Sequence, residues 1–260
     1  MVSRSSSSLL AGLRTTMDRQ GMDYERWIRE FGQVAASERR SRGEQFSLRD
    51  HVRGLVLSQL SAQRPWGPIA RNLDAIGEIF HDFDPDVLRN EDPEALTAAI
   101  KGLRCGNRQL ARQMRSLDRN IQTLQLIESD HGSLDAFVTS GPADEVAHRL
   151  AIAGRYKLRY IGFTLALEYL RNVGIRAGKP DVHVRRILGG ERLRLTTGRP
   201  SEVEAFALIE RIATEAACNP TYVDNLLWIF CAQNYGNVCG ARPRCFACDL
   251  RPVCRFPQNS

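Results

Sequence analysis

Cys239-Gly-Ala-Arg-Pro-Arg-Cys245-Phe-Ala-Cys248-Asp-Leu-Arg-Pro-Val-Cys254 is the stretch of sequence on which the interpretation of this chain depends. It holds four of the seven cysteines, separated by five, two and five residues. Thiols packed this densely among arginines and prolines gain little as buried apolar groups and are better suited to bind a soft metal. The stretch therefore predicts a metal site.

The spacing of the four cysteines favours an iron-sulfur cluster over a single zinc ion. Zinc sites usually hold two close pairs of ligands that are far apart in sequence. Here one close pair, Cys245 and Cys248, is flanked by the single cysteines Cys239 and Cys254. One short loop around a cubic cluster can supply a thiolate to each of four corners. A disulfide framework is the third interpretation, and nothing in the sequence indicates the oxidising compartment that it needs.

Composition places the chain among ordinary globular proteins. With 260 residues, 43% of them hydrophobic, it can bury a core as one large domain or as two lobes. The net charge of +6 fits a phosphate-bearing partner, but it fits a merely soluble basic protein equally well. No apolar run is long enough to span a bilayer, and the N-terminus lacks the apolar segment of a secretory signal. We therefore expect a cytoplasmic protein.

Hydrophobic periodicity predicts helices along the chain, and no strand-like alternation occurs before residue 180. The fold class is therefore predicted to be all-α. A capping box at Ser47–Asp50 starts one helix, which must end before Pro65. Residues 17–38 are predicted to form another helix, with an apolar stripe that docks on the core. The polar run Ser3–Ser8 is not expected to pack.

Two short segments combine a helix start with groups that suit chemistry. Gly162, within Leu158–Ala166, makes a tight turn before a helix, and the backbone amides of a helix start can bind phosphate. Asp181 is placed to cap the helix that begins at Val182. Capping alone explains this residue, but an ionised carboxylate held there could also face a developing positive charge.

Taken in order, these parts resemble the helix-hairpin-helix DNA glycosylases of the endonuclease III type, from about Phe46 to Cys254. Val223-Asp224 with Trp228, then Gly236 and the cysteine stretch, is similar to that family's last helix and 4Fe-4S loop. The family usually has six residues between its first two cysteines, where this chain has five. The resemblance implies two helical lobes with a helix-hairpin-helix motif and a C-terminal iron-sulfur cluster loop. It also implies a 4Fe-4S cluster bound by Cys239, Cys245, Cys248 and Cys254.

The resemblance also implies a domain organisation. An N-terminal polar arm and docking helix would occupy residues 1–45, and a helical lobe carrying the hairpin would occupy residues 46–172. Residues 173–260, joined by the N-terminal helix, would form the lobe that carries the catalytic aspartate and the cluster. The aspartate is expected to lie at the cleft between the lobes.

The catalytic assignment follows from two positions. Asp181, with Val184, Arg186 and Leu188 after it, is similar to the family's catalytic segment. Thr164 stands where bifunctional members carry the lysine that forms a Schiff base with the sugar, and threonine cannot form that imine. The resemblance therefore implies a monofunctional glycosylase, in which Asp181 stabilises an oxocarbenium-like transition state while water attacks.

The remaining site residues are assigned to DNA contacts. Gln59, and as second choice Gln63, falls where the family inserts a side chain into the gap left by the extruded base. Gly162 matches the family's hairpin, whereas Arg159 and Tyr160 replace its proline and first glycine. We expect contacts to the DNA backbone from Tyr160, Gly162, His183 and Arg186.

The function implied by the resemblance is removal of a base from DNA. The chain would act as a nucleoid-associated monomer that flips a damaged, mismatched or modified base out of double-stranded DNA. Hydrolysis of the N-glycosidic bond would then leave an abasic site. Three alternatives remain: an inactive relative that binds distorted DNA, a bifunctional glycosylase with a displaced lysine, and a zinc-stabilised helical protein that binds other proteins.

Overall fold

The computed structural model describes residues 5–256, so Ser3 and Arg4 of the predicted polar arm lie outside the described residues. Every regular element in that range is helical, which confirms the all-α prediction. Short 3-10 turns occur at Cys245–Ala247 and Arg251–Val253, and the turn at His81–Phe83 has left-handed φ angles. The α-helices are, in chain order, α1 (Ser6–Arg19), α2 (Tyr24–Phe31), α3 (Gln33–Ser41), α4 (Leu48–Leu60), α5 (Trp66–Ala70), α6 (Leu73–Ile79), α7 (Pro85–Leu88), α8 (Pro93–Gly102), α9 (Leu110–Arg115), α10 (Leu117–His131), α11 (Leu134–Val138), α12 (Ala143–Ala151), α13 (Phe163–Asn172), α14 (Val182–Leu188), α15 (Glu202–Glu215) and α16 (Pro220–Cys231).

The chain divides into two compact units. The first unit combines the residues up to Ala35 with those from Arg176 onward, and the second unit is Ala36–Ile175. The sequence-based boundaries, at residues 46 and 173, differ from the observed starts at 36 and 176 by ten and three residues. In the part of the chain that the structure describes, no helix is both long and apolar enough to cross a membrane.

The N-terminal stretch of the first unit is a packed helix, which corrects the prediction of a polar arm. Ser5 caps α1 by accepting a hydrogen bond from the Ser8 amide at 3.2 Å. One face of α1 then enters the core of the unit, because its apolar residues recur at helical spacing: Leu9, Leu10, Leu13 and Met17. The serines therefore start a helix, and the prediction that they do not pack is wrong for Ser6, which is buried.

The single helix predicted over residues 17–38 is three helices in the structure. Gly21 and Gly32 adopt φ angles of +66° and +75°, which glycine reaches without steric cost, and they separate α1, α2 and α3. Asp23 caps α2 by accepting from the Arg26 amide at 3.0 Å. The predicted stripe on α2 packs against the core of the first unit, as expected, with members Tyr24, Trp27, Ile28 and Phe31.

In the second unit, α4 packs against α13, and α13 packs against α12. The predicted capping box is present: Ser47 and Asp50 each bond the other's backbone amide at the start of α4. A Cβ on Gly54 would lie 3.1 Å from the Val173 side chain, so this glycine permits the close approach of α4 to the end of α13. The end of α4 and the start of α13 hold the candidate residues of this unit.

A buried ionic network supports α4 from its other end. Arg40 Nη2 lies 2.6 Å from Asp135 Oδ1, and His51 Nδ1 lies 2.5 Å from the Tyr169 hydroxyl. Burial raises the pKa of Asp135, but hydrogen bonds from His51 and Arg40 outweigh it and bring the pKa to about 2. Breaking one partner of such a pair leaves an uncompensated buried charge, so we assign this network to stability.

Candidate functional site

The structure distributes the predicted site residues between the two units. The second unit carries the predicted DNA contacts and the lysine-equivalent position, namely Gln59, Gln63, Tyr160, Gly162 and Thr164. The first unit carries the predicted catalytic residue, two basic residues on the same helix and the cysteines, namely Asp181, His183, Arg186, Cys239, Cys245, Cys248 and Cys254.

Asp181 caps α14 with one oxygen of its carboxylate and leaves the other available. Its Oδ1 accepts hydrogen bonds from the amides of His183 at 2.8 Å and Val184 at 3.0 Å. Its Oδ2 has no hydrogen-bond partner within residues 5–256. Because the helix dipole and two amides hold the carboxylate, its charge is fixed in position before any substrate arrives.

His183 lies beside a cluster of aromatic rings, with its ring centroid 6.1 Å from that of Trp228. The other members of this aromatic cluster are Trp27, Phe31 and Tyr235. Burial lowers the pKa of His183, although the nearby charge of Asp181 opposes this. The imidazole is therefore neutral near pH 7 and is positioned by ring packing.

Near the cysteines, the buried Arg192 and the half-buried Arg186 have no carboxylate partner in the described part of the chain. Arg192, which is 5% exposed, has an unpaired Nε and stacks over the Phe256 ring at 3.7 Å. The Nη1 atom of Arg186 is also buried and unpaired. An arginine stays charged at any ordinary pH, so a buried one calls for an anion nearby. Sequence reasoning missed Arg192, because nothing local distinguishes it from a surface arginine.

Thiols are the groups that these arginines face. A hydrogen bond with the buried Cys231 lowers the pKa of Cys239, and the charges of Arg192 and Arg186 lower it further against the effect of burial. Cys231, interpreted from the sequence as a small buried side chain, is thus also a neighbour of the first predicted ligand. The electrostatics around Cys239 favour its thiolate form.

The four predicted ligands are all free cysteines, with Cys239 and Cys254 buried and the other two half-buried. Burial raises the pKa of Cys248 to about 12, and the other three thiols add to this rise. The loop therefore brings the four sulfurs within electrostatic reach of one another. Across residues 5–256, however, no three His, Cys, Asp or Glu side chains form a group that could hold a metal ion. The donor chemistry fits a thiolate-bound cluster, and the cluster itself stays a prediction.

Gln59, the first choice for the DNA wedge, is completely buried, which corrects that assignment. Its side-chain Nε2 donates to the Arg159 carbonyl at 3.4 Å, and its backbone carbonyl accepts from the side chains of Asn107 and Gln113 at 2.8 and 3.2 Å. A side chain enclosed in this way cannot enter a base stack without leaving the core. Gln63, the second choice, is exposed in the turn after α4, with φ at +53°.

The predicted hairpin is held at several points. Leu158 and Ile161 are buried, and Asn120 clamps the backbone of Arg159 by accepting from its amide at 2.7 Å and donating to its carbonyl at 3.1 Å. Lys157 donates from Nζ to the carbonyls of Ala151 and Ile161, and burial lowers its pKa. Asn120 was not identified from the sequence, although an asparagine on the apolar face of α10 could have indicated a buried hydrogen-bonding role.

The start of α13 differs from most helix starts in having no side-chain cap. Gly162 is the residue before the helix, and a Cβ placed on it would meet nothing within 4 Å. Its φ of −97° suits any residue, so neither packing nor backbone conformation requires glycine there. Thr164, in the first turn, has a buried hydroxyl without a hydrogen-bond partner.

The fold is similar to a crystal structure of the Methanocaldococcus jannaschii 8-oxoguanine glycosylase/lyase in complex with a 15mer DNA containing 8-oxoguanine. The TM-score is 0.55 at 17% sequence identity, and the match covers 86% of this chain and 96% of that chain. No protein-family model and no curated protein sequence matches this chain. The chain therefore has the fold of a DNA glycosylase.

Proposed function

We propose that this chain is a DNA glycosylase that extrudes a target base from double-stranded DNA and hydrolyses its N-glycosidic bond. The proposal rests on the carboxylate of Asp181. Its Oδ1 accepts hydrogen bonds from two backbone amides, and its Oδ2 has no partner among the described residues. A DNA glycosylase fold supplies the context, and the named neighbour binds DNA.

The chemistry follows from the charge that develops on the sugar. As the bond between the base and C1′ breaks, its electron pair leaves with the base, and the sugar becomes an oxocarbenium ion. The Asp181 carboxylate stabilises that positive charge without reorganising, because its position is already fixed. Water then bonds to C1′ and passes a proton to solvent, which leaves an abasic site. Anchored carboxylates act in the same way in glycoside hydrolysis.

Hydrolysis without strand cleavage is the favoured outcome. Thr164 offers a hydroxyl where an imine would need an amine, and the amine of Lys157 is bonded to two backbone carbonyls. The neighbour's name, glycosylase/lyase, gives the bifunctional alternative its support. Borohydride trapping decides between them: a covalent complex with DNA that is lost in Lys157→Ala or Lys179→Ala would establish the lyase.

We further propose that the C-terminal loop holds a 4Fe-4S cluster through Cys239, Cys245, Cys248 and Cys254. All four donors are sulfur, and the buried guanidiniums nearby would balance the negative charge of a thiolate-bound cluster. The cluster would serve structurally by fixing a loop that exposes Arg242 and Arg251. Arg244 instead donates to the Asn237 carbonyl at 3.0 Å and stays within the loop. Iron with acid-labile sulfide is expected on analysis, and zinc without sulfide would overturn this assignment.

DNA contacts complete the proposal. Gln63 is the candidate wedge, and Tyr160 and Gly162 lie at the candidate hairpin. His183 and Arg186 are assigned to the DNA backbone, although both have buried nitrogens. Phosphate contacts should dominate affinity, so binding is expected to weaken steeply as salt rises.

The test is a panel of duplex oligonucleotides containing mismatched thymine or uracil, 8-oxoguanine, or alkylated bases. Alkali cleaves the abasic sites that base release produces. Wild-type protein should release at least one of these bases, and Asp181→Asn should keep binding the duplex while losing release. Binding to DNA with no release from any duplex would favour the inactive-relative alternative.

A further inference from the structure

Tyr160 combines a left-handed backbone with an exposed aromatic ring. Its φ is +58°, a conformation that costs a non-glycine residue free energy, and 45% of the residue is exposed. Phe83 is also aromatic and left-handed, with φ at +62°, but it is buried and stacks on Phe80 at 5.9 Å. Core packing offsets the strain at Phe83, whereas Tyr160 is not part of the buried core.

The strain at Tyr160 is imposed by its neighbours in sequence. Leu158 and Ile161 are anchored in the core on either side, so the two residues between them must cross the surface in a short turn. Asn120 fixes both polar backbone groups of Arg159, and Lys157 bonds the Ile161 carbonyl. The turn therefore cannot relax, and it projects the Tyr160 side chain outward.

Nothing in residues 5–256 uses that side chain. The hydroxyl has no hydrogen-bond partner, and the ring has neither an aromatic neighbour nor a stacked cation in that range. Tyr156, only four residues earlier, differs in all three respects: it donates to Asp130 at 2.8 Å, packs edge-on against Phe137 and lies under Arg149. Backbone strain that no such contact offsets is typical of a residue that contacts another molecule.

The surroundings of Tyr160 suit an unstacked nucleobase in DNA. Buried Gln59 joins the Arg159 carbonyl to the end of α4, and α4 leads directly into the exposed turn that carries Gln63. The turn that carries Tyr160 and the exposed Arg159 side chain is thus tied to the end of the helix that the candidate wedge follows. A tyrosine ring offers a broad face for stacking on a base and only one hydroxyl for a phosphate.

We infer that Tyr160 stacks through its ring on an unstacked base at the target site, and that it does not act as a phosphate contact. The inference rests on the proposed function, because it takes DNA as the partner. This inference changes the role of the hairpin. Tyr160 stands where the resembling family has a glycine that approaches phosphate, and its ring would contact a base instead. Stacking is tolerant of base identity, so the substrate class is DNA with an extruded or unpaired base.

The test compares Tyr160→Gly with Tyr160→Phe. Glycine removes both the ring and the left-handed strain, whereas phenylalanine keeps the ring and loses only the hydroxyl. The probes are a duplex with one unpaired nucleotide and the same duplex fully paired. We expect Tyr160→Gly to bind the bulged duplex about tenfold more weakly, with less than about twofold change on the paired duplex. Tyr160→Phe should bind both as wild type does.

Thermal unfolding supplies the second readout. Because glycine relieves the left-handed strain and no hydrogen bond, ring pair or cation contact of the described residues is lost, the Tm of Tyr160→Gly should equal that of wild type or exceed it by up to roughly 2 °C. A lower Tm, unchanged binding of the bulged duplex, or an equal loss in Tyr160→Phe would each overturn the inference. Failure of wild-type protein to bind either duplex would also overturn the proposed function. If wild-type protein releases a base and Tyr160→Gly binds the bulged duplex as tightly as wild type, only the stacking role is overturned.

Discussion

Candidate functional residues lie at the starts of both α13 and α14, but only the start of α14 is capped by a side chain of this chain. At α14, the Asp181 side chain occupies the amides of the first turn. At α13, Gly162 provides no cap, and the first turn contains no acidic residue. The positive end of the α14 dipole thus holds the Asp181 carboxylate. The positive end of the α13 dipole holds no carboxylate from the first turn of that helix.

Under the proposed function, the two helix starts have different roles. A capped start fixes a carboxylate for a reaction, while an uncapped start with open space around its glycine accommodates an anion from outside. In the proposed function, that anion is a DNA phosphate near the hairpin. Substitutions that exchange the properties of the two starts test this comparison most directly.

The largest effect is expected from Asp181→Asn. Asparagine caps a helix about as well as aspartate, so α14 should keep its start and the protein its Tm. The charge that faces the sugar is lost, and we expect base release to slow by a factor on the order of 10² to 10³ in single-turnover assays. Asp181→Ala is the control, because it removes the cap as well and should cost about 1 kcal/mol of stability. Release within tenfold of wild type in Asp181→Asn would remove this residue from the mechanism.

A smaller effect is expected from giving α13 the cap that α14 already has. A side chain fits at Gly162, since a Cβ there meets nothing within 4 Å. Gly162→Asp and Gly162→Asn should stabilise the start of α13 to a similar extent, by roughly a few tenths of a kcal/mol. Only the aspartate repels phosphate, so we expect roughly fivefold weaker DNA binding for Gly162→Asp than for Gly162→Asn, with the difference shrinking at high salt. Equal affinities at low salt would show that no phosphate approaches this helix start.

Local sequence signals predicted both of these helix starts: the cap at Asp181 depends on residues two and three positions away, and the turn at Gly162 directly precedes α13. The same holds for the capping box at Ser47 and Asp50. The wedge assignment failed for a different reason. The Gln59 side chain is buried and donates to the carbonyl of Arg159, which lies 100 residues away in sequence. No pattern within α4 contains that information.

Two further features lay beyond the sequence interpretation. The polar run before α1 obscured an apolar face at Leu9, Leu13 and Met17 that its helical spacing could have revealed. Arg192 is different, because a buried arginine without a carboxylate is recognisable only from its surroundings. The strain at Tyr160 is an intermediate case: the sequence shows only that a tyrosine stands where the resembling family has a glycine, and the structure supplies the φ of +58°.

The smallest effect is expected from Thr164→Val in the first turn of α13. The threonine hydroxyl is buried without a partner, so a valine of the same shape removes an unsatisfied polar atom and should raise stability by up to about 1 kcal/mol. Base release should stay within about twofold of wild type, since the proposed mechanism assigns the hydroxyl no proton transfer. Thr164→Ser is the matched control, because it keeps the hydroxyl and loses only a methyl group. If Thr164→Val slowed release more than tenfold while Thr164→Ser did not, the hydroxyl would belong to the reacting site, and the start of α13 would share the chemistry now assigned to α14 alone.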